Sequence, residues 1–240
     1  MRVFTQVPVT PVAYYCRTID ITDHQLDEAR TWFSADERAR HDTLSIADDR
    51  RSFAAAHGLL RQVLAATVGG SPAQVMFDRD GHGKPFLVPD VARPTVAFSL
   101  SHCRDVVACV VAPAGRVGID VEPIRPSLDS VAFAQRFFSP AEAAWIAAMR
   151  SFDRGAGVCA VWTLKEALSK ALGYGLGLPL TSTSFEIHGR DVTAAVFPPF
   201  DDDVWHCRSI DIDGTHKLGV VANAAAAAAP VDIVEIARLA

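Results

Sequence analysis

Val117-Gly118-Ile119-Asp120-Val121-Glu122-Pro123 is the stretch from which the rest of this chain is read. Gly118 to Glu122 has the alternation of a strand, whose successive side chains face opposite sides. Ile119 and Val121 then enter a core, while Asp120 and Glu122 point together the other way. Two carboxylates roughly 7 Å apart on one strand face repel each other. A hard divalent cation such as Mg²⁺ would neutralise them, since it binds through few carboxylates and through substrate phosphates. A solvent-facing strand end with both charges hydrated is the competing reading.

The 240 residues suit one large domain or two smaller ones. Half of them are hydrophobic, yet no apolar run reaches the ~18 residues that span a bilayer, so a soluble protein without a membrane partner is expected. Met1-Arg2-Val3-Phe4-Thr5-Gln6 lacks a signal-peptide pattern. The five cysteines are odd in number, dispersed and without a C-x-x-C pair, which suits buried thiols in a reducing, cytoplasmic setting. A net charge of −5 speaks against a nucleic-acid partner. Any anionic ligand must then be met by a local cluster of Arg and Lys.

Working outward, Val12–Ile21, Val75–Asp78, Phe86–Val88, Val96–Leu100 and Val106–Ala112 read as strands on the N-terminal side. Helices are expected over Asp23–Phe33, behind a cap at Ser34 or Asp36, and over Ala47–Val68, where Gly69-Gly70-Ser71-Pro72 ends the pattern. Beyond the opening stretch, helical signals cover Ser130–Phe138, Pro140–Met149 behind Ser139, and Val158–Leu172 up to Gly173. Strands follow at Phe185–Ile187, Val192–Phe197, Val204–Ile212 and Leu218–Ala222, and the alanine run 224–229 reads as a linker. The order strand, helices, strands occurs twice, dividing near Ala112–Val117, which predicts an α+β pseudo-duplicate.

A second acidic feature lies in Trp162-Thr163-Leu164-Lys165-Glu166-Ala167-Leu168-Ser169-Lys170. On a helix Trp162, Glu166 and Lys170 share one face. Glu166 and Lys170 could be a plain exposed ion pair worth ~0.3–0.5 kcal/mol, or Glu166 could add a third carboxylate to Asp120 and Glu122. Arg79 and Lys84 bracket a loop in which Gly81 and Gly83 allow close approach of a ligand. Pro85 after the lysine excludes a nucleoside-triphosphate loop. Arg38, Arg40, Arg50, Arg51 and Arg61 read mostly as a solvated helix face. Ser101-His102 offers phosphate donors or a structural turn, and it is no nucleophile elbow. Gly173-Tyr174-Gly175-Leu176-Gly177 follows a helix, the wrong context for a dinucleotide fingerprint.

Together these residues resemble the 4′-phosphopantetheinyl transferases of the surfactin-synthetase-activating type. The resemblance rests on Gly118-Ile119-Asp120-Val121-Glu122 paired with Trp162-x-x-Lys165-Glu166-Ala167-x-x-Lys170-x-x-Gly173, and on Gly83-Lys84-Pro85, Ser101-His102 and Arg136-Phe137-Phe138-Ser139 in order. It implies transfer of the phosphopantetheine arm of coenzyme A to a serine of an apo acyl- or peptidyl-carrier protein, releasing 3′,5′-ADP. It also implies Mg²⁺ on Asp120, Glu122 and Glu166, with Glu166 as candidate base and Lys170 at the leaving phosphate. Coenzyme A would be held by Arg79, Gly83, Lys84, Pro85, Ser101, His102 and Lys170, with Arg40 at its 3′-phosphate. The expected fold is α+β, two similar α/β halves forming a pseudo-dimer, each an antiparallel sheet packed by helices. Residues 1–114 would bind coenzyme A, and 115–240 would carry the metal strand and catalytic helix, in a monomer with the site between the halves. Arg125 to Phe138, with Leu128, Val131, Phe133 and Phe137, is a candidate docking segment for an acidic helical carrier. A Mg²⁺-dependent nucleotide phosphohydrolase and a non-catalytic coenzyme A binding module are the alternatives.

Overall fold

The computed structural model describes residues 7–81, 83–125, 130–177, 179–189, 191–196, 204–223, 231–236 and 239. β1 (Val12–Arg17) leads into α1 (Asp23–Thr31), α2 (Ala35–Thr43) and the long α3 (Ala47–Val68), followed by a small hairpin, β2 (Phe77–Arg79) and β3 (Pro85–Leu87). Next come β4 (Ala97–His102), β5 (Val106–Ala112) and β6 (Arg116–Pro123). Three helices, α4 (Ser130–Phe137), α5 (Pro140–Ala148) and α6 (Arg154–Leu172), precede β7 (Ser184–His188), β8 (Asp191–Val196), β9 (Trp205–Ile212), β10 (His216–Asn223) and β11 (Asp232–Glu235).

Local chemistry sets the helix ends. Thr22, Ser34 and Ser139 each form a capping box with Gln25, Glu37 and Glu142, and Gly173 closes α6 in the left-handed conformation at φ 75°. The strand expected to run to Ile21 ends at Arg17, and the one expected from Val75 occupies Phe77–Arg79. The helix α6 begins at Arg154, one turn before the expected Val158, and takes in Gly155 and Gly157. At Gly157 the missing side chain has a packing role, since a Cβ there would lie 2.6 Å from the Met149 sulfur. The alanine run 224–229 and Phe197 lie outside the described residues.

The strands form one sheet in the order β11-β1-β5-β4 and another in the order β6-β10-β9-β8-β7. All pairings among them are antiparallel except β1 with β11, which is parallel. β5 is buried on both faces. Its Val107, Cys109 and Val111 meet the α3 layer, and Val106, Ala108 and Val110 meet Ile119, Val121, Leu218 and Val220 of the second sheet. The layers therefore run α3, first sheet, second sheet, α6, with α4 and α5 packed on α6. This is the expected α+β class. Among the described residues no helix is long and apolar enough to cross a membrane.

Candidate active site

Two glycines let α6 lie directly on the second sheet. A Cβ on Gly118 would sit 1.8 Å from the Ala167 carbonyl oxygen, and one on Gly219 would sit 2.5 Å from the Thr163 carbonyl carbon. Gly219 is the cross-strand partner of Asp120. The helix thus crosses β6 with backbone nearly on backbone, and the strand's polar face is covered instead of hydrated. Asp120 is 6 % exposed. Its Oδ1 accepts from Lys170 Nζ at 2.7 Å and from the Ser101 hydroxyl at 2.8 Å, while Oδ2 is buried with no partner among the described residues. Lys170 Nζ also donates to the Ile119 carbonyl at 3.1 Å.

Glu122 and Glu166 are half-buried and flank this group. Burial raises the Glu166 pKa and the charge of Asp120 raises it further; Lys170 opposes and Glu122 adds to the rise. Burial likewise raises the Glu122 pKa, helped by Asp120 and opposed by Arg125 and Lys170. Strand and helix therefore bring the three predicted carboxylates into mutual repulsion around one lysine. Among the described residues they do not converge into a cage of three or more metal-ligating side chains. A magnesium ion does not require one, because it keeps several waters and takes one or two carboxylates plus phosphate oxygens.

Cations gather at the C-terminal end of α6. Lys84 Nζ donates to the Ala171 carbonyl at 3.0 Å, and burial lowers its pKa, aided by Arg116 and opposed by Asp80. His102 ends β4. Although its edge reaches solvent, lost hydration lowers its pKa to about 4, and the charges of His57 and Lys170 contribute. Arg79 is exposed and closes the hairpin loop by donating to the Gly83 carbonyl at 2.8 Å; Gly83 has φ 83°, and Pro85 opens β3 opposite Arg79. His82 lies outside the described residues. Arg40 is exposed on α2, one turn beyond Glu37, and no described contact ties it to the Lys84–His102–Lys170 group.

Next to Glu122 an open cavity of about 270 Å³ is lined by Arg125, Phe133, Val158, Cys159 and Trp162. Two members of the expected docking segment, Arg125 and Phe133, thus share a cavity with Glu122. Val131 and Phe137 are half-buried and Arg136 is exposed, whereas Leu128 lies outside the described residues.

Residues 116–225 match the family model described as the 4′-phosphopantetheinyl transferase superfamily, and residues 20–114 match 4′-phosphopantetheinyl transferase, N-terminal. The chain is 35% identical over 158 residues to the 4′-phosphopantetheinyl transferase HetI of Nostoc sp., covering 66% of this chain and 67% of that protein. The chain belongs to the 4′-phosphopantetheinyl transferase family. A 4′-phosphopantetheinyl transferase of Bacillus subtilis is 31% identical over 68% of this chain and 70% of that protein. Sfp of Bacillus subtilis strain 168 is 29% identical over the same shares, 68% and 70%. The chain is therefore a transferase that moves the phosphopantetheine arm of coenzyme A to carrier proteins. Neither the phosphohydrolase nor the non-catalytic binding module is favoured.

Two buried ionic groups were not legible in the sequence. Lys165, beside Glu166, is fully buried and forms an ion pair with Glu142 at 2.9 Å. It also donates to the Leu180 and Thr183 carbonyls, each at 2.6 Å. The capping-box signature Ser139-x-x-Glu142 was the available signal, but it accounts for Glu142 without a lysine. Arg61, expected on a solvated face, is 1 % exposed and donates to Glu37 and to the Pro72 and Val75 carbonyls. Its position among Leu60, Val63 and Leu64 on the buried face of α3 was the clue.

Proposed function

We propose that this enzyme works with one Mg²⁺, which Asp120, Glu122 and Glu166 would hold against the pyrophosphate of coenzyme A. When bound, the ion would supply positive charge to the reacting phosphate oxygens. The observation that carries this reading is the buried, unpartnered Oδ2 of Asp120, since a buried acceptor left without a partner costs ~1–3 kcal/mol. The raised pKa values of Glu122 and Glu166 support it too, because a divalent cation relieves the repulsion that raises them.

In this reading the carrier serine oxygen attacks the phosphorus that bears the pantetheine arm. The bond from that phosphorus to the bridging oxygen breaks, and 3′,5′-ADP leaves. Glu166 takes the serine proton, directly or through one water. Lys170, fixed between Asp120 and the Ile119 carbonyl, meets the negative charge growing on the leaving phosphate. Lys84 and His102 bind the pyrophosphate from the other side, while Gly83, Pro85 and Arg79 shape the loop that receives coenzyme A. Arg40 meets the 3′-phosphate. Residues 1–114 thus supply most coenzyme A contacts, and 115–240 supply the carboxylates and Lys170.

The carrier docks along Arg125 to Phe138, where the two arginines face an acidic helical partner of fatty-acid, polyketide or nonribosomal-peptide assembly. Because one chain carries both parts of the site, the enzyme acts as a monomer. Its five free cysteines suit the cytoplasm.

The test is mass spectrometry of apo-carrier incubated with enzyme, coenzyme A and Mg²⁺. The carrier gains one phosphopantetheine, the gain stops on chelation and returns with added Mg²⁺, and Glu166→Gln lowers the rate about 100-fold or more. A rate indifferent to chelation would remove the metal from the reading. Arg125→Glu should raise the KM for carrier and leave that for coenzyme A unchanged; equal KM values for carrier would move the docking surface elsewhere.

A further inference from the structure

The hydroxyls of Ser99 and Ser101 do what a backbone ladder does elsewhere. They stand at alternate positions of β4, the edge of the first sheet, and accept from the Ile119 and Val121 N–H groups of β6, the edge of the second, at 3.4 and 3.3 Å. Ser101 does one thing more, since its single proton is given to Asp120 Oδ1 at 2.8 Å. A serine hydroxyl has one proton and two lone pairs. With the proton on Asp120 and one lone pair on Val121 N–H, Ser101 has no donor left for a phosphate, and it is 7 % exposed. Lys170 Nζ reaches the same Oδ1. Two donors on one oxygen fix the rotation of the carboxylate and leave Oδ2 as its free ligating atom.

We infer that Ser101 is a positioning residue for the metal-binding carboxylate of Asp120 and not a contact of coenzyme A. This rests on the proposal that Asp120 holds Mg²⁺. Partners that orient a ligating carboxylate change metal affinity by about 10–100-fold when removed. Ser99 provides a matched control, because it makes the same kind of bridge between the sheets without touching Asp120.

The experiment measures Mn²⁺ affinity by water-proton relaxation, with coenzyme A present and no carrier, in the wild-type protein, Ser101→Ala, Ser99→Ala and Asp120→Asn. Steady-state KM for coenzyme A is measured alongside. Ser101→Ala should bind Mn²⁺ about 10-fold more weakly with the KM for coenzyme A unchanged, and Ser99→Ala should bind it like the wild type. Ser101→Cys, which fills the same space with a weak donor, serves the same comparison where the alanine variant does not fold. Unchanged Mn²⁺ affinity in the Ser101 variant overturns the inference, and a raised KM for coenzyme A would return Ser101 to the coenzyme site. A wild-type protein that binds no Mn²⁺, or an Asp120→Asn variant that binds it normally, overturns the metal proposal and this inference together.

Discussion

Glu37 shows how much a single buried residue can govern. Burial alone would raise its pKa, but hydrogen bonds from His57, from Arg61 and from the Ser34 backbone prevail and hold it at about 2. A carboxyl whose folded pKa is depressed contributes stability that is complete above its unfolded value and is lost as pH falls through the folded one. From 4.5 to about 2 the contribution at stake is roughly 3 kcal/mol. We predict that urea unfolding at about pH 5 and about pH 2.5 shows a large drop in stability for the wild type and a smaller one for Glu37→Gln. Equal drops would assign the acid sensitivity to other carboxylates. At this scale the sequence exposed the direction of Asp120 and Glu122 but not their hydration. Alternation along a strand fixes which side a residue faces, and what covers that side depends on α6, far along the chain.

Among the elements, the contact of α6 with β6 and β10 decides whether the site exists. Gly118→Ala would place a methyl 1.8 Å from a carbonyl oxygen, so helix or strand must move. Overpacking of this kind costs ~1–3 kcal/mol or more, and a displacement near 1 Å lowers turnover about 100-fold. A Gly118→Ala enzyme that folds should therefore show a large loss of kcat, and near-normal turnover would contradict the close crossing. The Lys165–Glu142 pair locks the other side of α6. Removing either partner leaves a buried charge at a cost of ~3–5 kcal/mol, so Lys165→Met and Glu142→Gln should each lower Tm sharply. A double-mutant cycle should find the two losses far from additive. The helices themselves were legible, because their caps are local sequence features. The Lys165–Glu142 pairing was not, because a lysine beside Glu166 reads like any helix surface residue until three neighbouring segments enclose it.

For the whole molecule, the mixed order of strands and helices was legible in the sequence, and with it the α+β class. The position of β11 was not visible. It follows an alanine run with little pattern, and its parallel pairing with β1 joins segments 220 residues apart, Val12 with Asp232. Val231, Ile236 and Leu239 around it are all buried. Burying each such side chain is worth ~1.5–3 kcal/mol, so a protein ending at residue 230 should lose several kcal/mol, read as a lower urea midpoint with the transferase site still formed in native buffer.

That same strand sets a schedule for biosynthesis. A nascent chain emerges with β1, β5 and β4 able to pair while the outer edge of β1 remains open, because β11, the strand that covers it, is made long after them. The N-terminal sheet therefore cannot reach its final state until β11 has emerged from the ribosome. We predict that ribosome-bound chains arrested before residue 231 are cleaved by added protease within the first sheet, and that released full-length chains resist. Equal resistance of both would show that the early sheet is stable with its edge exposed.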